Sequence, residues 1–76
     1  MYLSDLKPGE KGKIVQINAP IKIKRRLLEM GFTADADILV LKEAPLSDPV
    51  EYLLRGCEVT LRKNDASRIE IEKVNN

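Results

Sequence analysis

The stretch RRLLEMGFTADADILVLKEAPLSDPVEYLLRG, Arg25 to Gly56, decides how the chain folds. It opens as the second half of an amphipathic helix, breaks at Gly31, and continues as two apolar strands around the loop PLSDP, Pro45 to Pro49. The full helical segment is IKIKRRLLEM, Ile21 to Met30. There Ile23, Leu27 and Met30 recur at i, i+4 and i+7 on one face, with Leu28 beside them. Pro20 stands where helix starts tolerate proline. Gly31 follows the last periodic residue, where a left-handed glycine terminates helices, and Phe32 is placed to fold back on the last turn. After the break, ADILVLKEA (Ala36 to Ala44) reads as a strand whose continuous apolar run, Ile38 to Leu41, suggests cover on both faces. Asp48 precedes Pro49, so its backbone is pushed toward the extended region. VEYLLRG (Val50 to Gly56) puts Val50, Tyr52 and Leu54 on one face.

The flanking segments fit the same plan. LSDL (Leu3 to Leu6) is a single helical turn, and Pro8-Gly9 in KPGEKG signals a type II turn. KIVQIN (Lys13 to Asn18) is rich in β-branched residues and reads as the first strand. CEVTLR (Cys57 to Arg62) alternates cleanly, which places Cys57, Val59 and Leu61 inward. Cys57 is therefore expected to be a small core hydrophobe. KNDAS makes a turn or one helical turn, and RIEIEKV (Arg68 to Val74) is a last strand with Ile69 and Ile71 inward. Short connections join the second, third and fourth strands, so they form an antiparallel meander. The expected fold is mainly β: a small barrel of about five antiparallel strands with one or two short helices. Closure of that barrel would remove exposed edges. One domain spanning residues 1–76 is all this length accommodates.

Composition excludes several functions. Lys and Arg number 13 against 12 Asp and Glu, a net charge of +1, which does not support nucleic-acid binding over the whole surface. Histidine is absent and Cys57 is the single cysteine, so there is neither an internal disulfide nor a transition-metal cluster. No catalytic residues, metal ligands or cofactors are expected. Ser4, Ser47 and Ser67 have no base to activate them. GEKGK (Gly9 to Lys13) is too short for a phosphate-binding loop. The first residues lack the basic start and apolar run of a signal peptide, and no window approaches the ~18 apolar residues of a membrane span. A soluble cytoplasmic protein is the expectation.

The sharpest charge feature is KIKRR: Lys22, Lys24, Arg25 and Arg26. These cations crowd the first half of the helix, the end where the macrodipole disfavours positive charge. Two readings stay open: a solvated helix face, or a docking patch for an acidic surface or a phosphate.

RRLLEMGF, APLSDPVEY, LRGCEVTLRK and ASRIEIEKV, in this order and spacing, resemble the FeoA family of small cytosolic proteins associated with bacterial ferrous-iron uptake. The resemblance covers nearly the whole chain. It implies an SH3-like barrel and a partner, the cytosolic G-protein region of the FeoB transporter, bound without catalysis. An SH3-like domain also ends iron-dependent repressors. That keeps an alternative alive: a regulatory or nucleic-acid-binding module linked to iron-dependent transcription. Lys22, Arg25, Arg26, Leu46, Asp48, Arg55 and Arg62 are the partner-binding candidates, Leu46 as an apolar loop tip beside positive charge. Leu27 and Leu61 belong to the core and Gly31 to the cap. The chain departs from the family pattern at Ala34-Asp35, where Pro-Gly is usual, and at Ser47, where Gly is usual. Glycine there suggests positive φ, which Asp tolerates better than Ser. The resemblance leaves open the oligomeric state and whether a metal binds.

Overall fold

A computed structural model describes residues 1–75, apart from the side chain of Ser47. The five strands are β1 (Lys11–Ile17), β2 (Asp37–Glu43), β3 (Val50–Leu54), β4 (Cys57–Leu61) and β5 (Ile69–Val74). Helix α1 (Ile21–Glu29) follows β1, and the single turn α2 (Lys63–Ala66) joins β4 to β5. The sheet runs in the order β4-β3-β2-β1-β5, antiparallel throughout, so β2, β3 and β4 form the expected meander.

Period-two alternation sets the register. Ile38 faces Leu54, Val40 faces Tyr52 and Val50 faces Leu61, while Ile14 and Ile17 face Ile71 and Ile69. All ten are buried and belong to one core with Leu27 and Phe32. The opposite phase of β2 differs from expectation. Leu39 and Leu41 are only half-buried, because no layer among the described residues covers the outer face.

Closure is incomplete. The order ends on β4 and β5, which pair with no further strand among the described residues. The outer edge of β5 is covered instead by the chain start: the Met1 carbonyl accepts from the Ile71 N–H at 2.8 Å, and Tyr2 bridges to Glu70. The free edge at β4 explains the placement of Cys57, which is exposed rather than buried. Its phase is as expected, since it lies opposite the buried Leu54. It is the first residue of an edge strand, however, and the core cover ends before it.

Two chain reversals position the elements around this sheet. Helix α1 ends in a Schellman cap, with the Phe32 N–H donating to Leu27 O (3.1 Å) and the Gly31 N–H to Leu28 O (3.0 Å). Gly31 has φ +109, and a Cβ there would meet Leu54 Cδ2 at 3.3 Å, so only glycine fits comfortably. Phe32 is thereby folded into the core at 0% exposure. The β3–β4 hairpin turns on Arg55 (φ 50) and Gly56 (φ 84), the paired positive φ of a type I′ turn.

Tyr52, in the core, carries the ring whose hydroxyl titrates unusually. Burial, with the carboxylates of Glu43 and Asp48 adding to it, pushes its pKa up to about 12. The unfolded phenol loses its proton near ~10. Between those values the folded chain binds more protons than the unfolded one, so stability falls as pH rises. Stability against urea is therefore expected to hold below pH ~10 and to fall as the pH climbs toward 12. Phenolate absorbance followed alongside unfolding checks this. A flat stability across that window would contradict it.

Candidate docking surface

The seven candidate residues do not form one cluster. Three elements gather most of them: α1, α2 and the loop Pro45–Ser47 with Asp48. Helix α2 is touched by the other two. The Arg26 guanidinium pairs with Asp65 of α2 at 2.9 Å, and the Asp48 carboxylate accepts from the Lys63 N–H at 3.0 Å. Arg62 is the N-cap residue of α2 and is exposed. Arg55 lies elsewhere. It sits past the far end of β3, whose five residues place it about 17 Å along the strand from the loop. There it donates to Thr33 Oγ1 at 2.7 Å.

Local chemistry divides the candidates further. Arg26 and Asp48 are engaged in tying the helices and loop to one another. Lys22, Lys24 and Arg25 make no hydrogen bond or ion pair with any other described side chain. They stand in the first turns of α1, which holds no acidic residue in its first turn and has no side-chain cap. Three cations without a local partner, at a helix end that already carries partial positive charge, raise the potential of that face.

The helix is less buried than its periodicity implies. Leu27 is fully buried and Ile23 packs partly on the core, but Met30 and Leu28 are 38% and 40% exposed. Ile21 is exposed at 66% and lies two turns before Leu28 on the same face. Arg25 falls between them at i+4. The outer face of α1 is thus apolar residues interleaved with free cations. Leu28, which the helical period places beside the core-facing residues, therefore lies with Ile21 on the outer side. The signal was present in the spacing of Ile21, Arg25 and Leu28, but a nine-residue helix lying on a sheet buries only a narrow stripe.

Leu46 is 99% exposed, the most exposed of the large apolar side chains. Its backbone is left-handed, with φ 69 and ψ 15. That conformation costs about 1–2 kcal/mol for a residue with a Cβ. The loop therefore holds a leucine out in water on backbone that disfavours it. A glycine or asparagine would suit that conformation better. Among the described residues no group of three or more His, Cys, Asp or Glu is placed to hold a metal ion, and no helix is long and apolar enough to cross a membrane.

The sequence matches the FeoA domain over residues 1–73. The chain belongs to the FeoA family. It is 40% identical over 74 residues to the Fe(2+) transport protein A/Fe(2+) transporter FeoB fusion protein of Porphyromonas gingivalis, covering 97% of this chain and 9% of that protein. This chain therefore spans about a tenth of that relative's length. The solution structure of the FeoA protein of Chlorobium tepidum is 35% identical and superposes with a TM-score of 0.91, over 99% of this chain and 71% of that one. The Stenotrophomonas maltophilia FeoA, solved with zinc and described as a prokaryotic SH3 domain protein, is similar in fold. It shows 24% identity and a TM-score of 0.82, over 95% of this chain and 89% of that one. The architecture is thus an SH3-like barrel, as the FeoA resemblance implied.

The two departures from the FeoA pattern resolve differently. Asp35 has φ 67, the left-handed conformation that a glycine there would suggest, and aspartate accommodates it. In the Pro45–Ser47 turn the described left-handed residue is Leu46. The positive φ expected at Ser47 thus falls one residue earlier, on Leu46.

The Arg26–Asp65 pair is 57% and 21% exposed at its two side chains. Solvent screens such a pair, so Arg26→Ala is expected to lower unfolding stability by only about 0.2–1 kcal/mol. A urea midpoint checks it. A loss well above that range would mean that Arg26 organises α2 rather than merely touching it.

Proposed function

We propose that this chain is a non-catalytic accessory protein of ferrous-iron uptake, docking in the cytoplasm on the G-protein region of a FeoB-type transporter. The fusion carries the reading: in Porphyromonas gingivalis a domain 40% identical to this one is named as one polypeptide with the transporter. Covalent joining keeps two partners at high effective concentration. A domain of this kind recognises its partner through a surface.

The α1 face and the Leu46 tip supply such a surface. Lys22, Lys24 and Arg25 suit an acidic patch, and Ile21, Leu28 and Leu46 suit apolar pockets within it. Unpaired cations steer the encounter and set its salt dependence, while buried apolar anchors hold the complex. Arg26, Asp48 and Arg62 frame this surface, the first two by holding the elements together. Arg55 falls outside it.

Calorimetric titration of the chain into the isolated G-protein region, with and without guanine nucleotide, tests the proposal. Saturable binding that weakens with salt supports it, and no binding in either state overturns it. Nucleotide turnover measured in the same mixtures separates a binder from an activator. The proposal expects turnover to change no more with wild-type chain than with Arg25→Lys, because Arg25 acts here by charge and not as an inserted arginine finger.

A further inference from the structure

The free edge of β4 is regular and unguarded. Its ladder with β3 runs through five consecutive pairs, without the register shifts that interrupt the β1–β5 and β2–β3 ladders. No proline or lysine, residues that commonly block such an edge, stands in Cys57–Leu61. The two-residue turn at Arg55 and Gly56 fixes which backbone groups face out. It makes Leu54 and Cys57 a hydrogen-bonded pair, and such pairs alternate along the ladder. Cys57, Val59 and Leu61 therefore direct their N–H and C=O groups at β3. Those of Glu58 and Thr60 point away from the sheet, and among the described residues they bond to no other backbone. Arg62 continues the strand in extended backbone, φ -69 and ψ 147, and its N–H is free in the same sense. The β5 edge differs, because the chain start covers it at Glu70 and Ile71.

The side chains along this edge form a self-complementary pattern. Glu58, Thr60 and Arg62 alternate onto the outer face, and all three are exposed. Neither Glu58 nor Arg62 makes an ion pair among the described residues. The order is acid, neutral, base. Laid antiparallel against its own copy with Thr60 opposite Thr60, this order sets each Glu58 opposite the other copy's Arg62. Opposite charges and threonine pairs are both favourable as direct cross-strand neighbours. The same alignment puts Val59 beside Leu61 on the inner face. Other registers do worse. Centring on Val59 sets Glu58 against Thr60, diagonal to one arginine and one acid, and centring on Glu58 sets the two acids against each other.

We propose that β4 pairs antiparallel with β4 of a second copy of this chain, about a two-fold axis at Thr60, joining the two sheets edge to edge. The two Thr60 residues exchange N–H and C=O hydrogen bonds, and each Arg62 N–H donates to the Glu58 carbonyl of the other copy. The Arg62 carbonyl already accepts from Asp65 and Ala66, so the ladder ends there. Both copies use the same edge, so the assembly closes at two and does not grow into a filament. A second copy is the occupant because the antiparallel image of this strand matches both unpaired charges at once. The contact is short, which makes the dimer weak. The pairing goes beyond the docking proposal. Arg62 borders the docking surface, while Glu58 and Thr60 lie outside it.

The test is sedimentation equilibrium of the chain alone at about 0.1–1 mM, where a contact this small is populated. The parent is expected to show a reversible monomer–dimer equilibrium. Glu58→Arg and Arg62→Glu each set like charges opposite one another at both ends of the pairing, and each is expected to weaken self-association about tenfold. Both positions are exposed, so the amide spectrum of the core stays that of the parent. An equal mixture of the two variants is expected to regain the parent association, because every contact between positions 58 and 62 in the mixed dimer then joins opposite charges. Amide exchange of the parent gives a second readout: protection at Glu58 and Thr60 rises with concentration, while Cys57 and Val59, bonded to β3, do not change. A chain that stays monomeric throughout overturns the proposal. So do single variants that associate as the parent does, or a mixture that fails to recover. None of those outcomes touches the docking proposal, whose readout is the transporter domain.

Discussion

Phe32→Ala is expected to remove about 3–5 kcal/mol of unfolding stability. The ring is 0% exposed and sits at the junction of helix cap and barrel. Its own backbone N–H closes the Schellman cap on Leu27, itself fully buried. Truncation leaves a cavity under α1 that the cap cannot collapse to fill, since Gly31 already lies against Leu54. A 76-residue domain has roughly 4–11 kcal/mol in total, so the variant loses a large share of its stability. Urea unfolding followed by circular dichroism measures it. A loss below about 1 kcal/mol would mean that the helix is not anchored through this ring.

Leu46→Asp is expected to do the opposite: leave the fold intact and weaken binding to the transporter domain. At 99% exposure the side chain contributes nothing to the core. Aspartate also occupies left-handed backbone more readily than leucine, so stability should stay within about 0.5 kcal/mol of the parent or rise slightly. Binding should fall by about 1.5–3 kcal/mol, roughly ten- to hundredfold, if the leucine is buried on docking. The added negative charge also opposes the acidic partner patch. Equal affinity for the two proteins would remove Leu46 from the interface.

The fold was largely legible because its signals are local. Gly31 after a helical period, alternating residues in Val50–Leu54 and Cys57–Leu61, and turn residues between them specified each element within one or two positions. What could not be read was where cover stops. Cys57 has the right phase and is exposed, because an edge strand lacks a neighbour. Leu39 and Leu41 looked doubly buried, because a short apolar run does not reveal whether a second layer exists.

The candidate surface was legible only in part. Charge clustering pointed to Lys22 and Arg25, and the two prolines to an exposed Leu46. Ionic commitments are three-dimensional: nothing in the sequence says that Arg26 is taken by Asp65 or that Asp48 accepts from Lys63. Arg55 belongs to a hairpin turn whose distance from the loop emerges only with the sheet register. Register likewise brings Glu58, Leu53, Leu39, Lys11 and Val74, from five separate strands, into one row on the outer face.

The docking account is tested most directly by mapping the contact on this chain. The isotope-labelled chain would be titrated with the unlabelled G-protein region of a FeoB-type transporter while its amide signals are followed. The account expects saturating changes along Ile21–Glu29 and at Leu46, with the far end of β3 unaffected. Changes confined to Arg55 and the outer sheet face, or none that saturate, would contradict it.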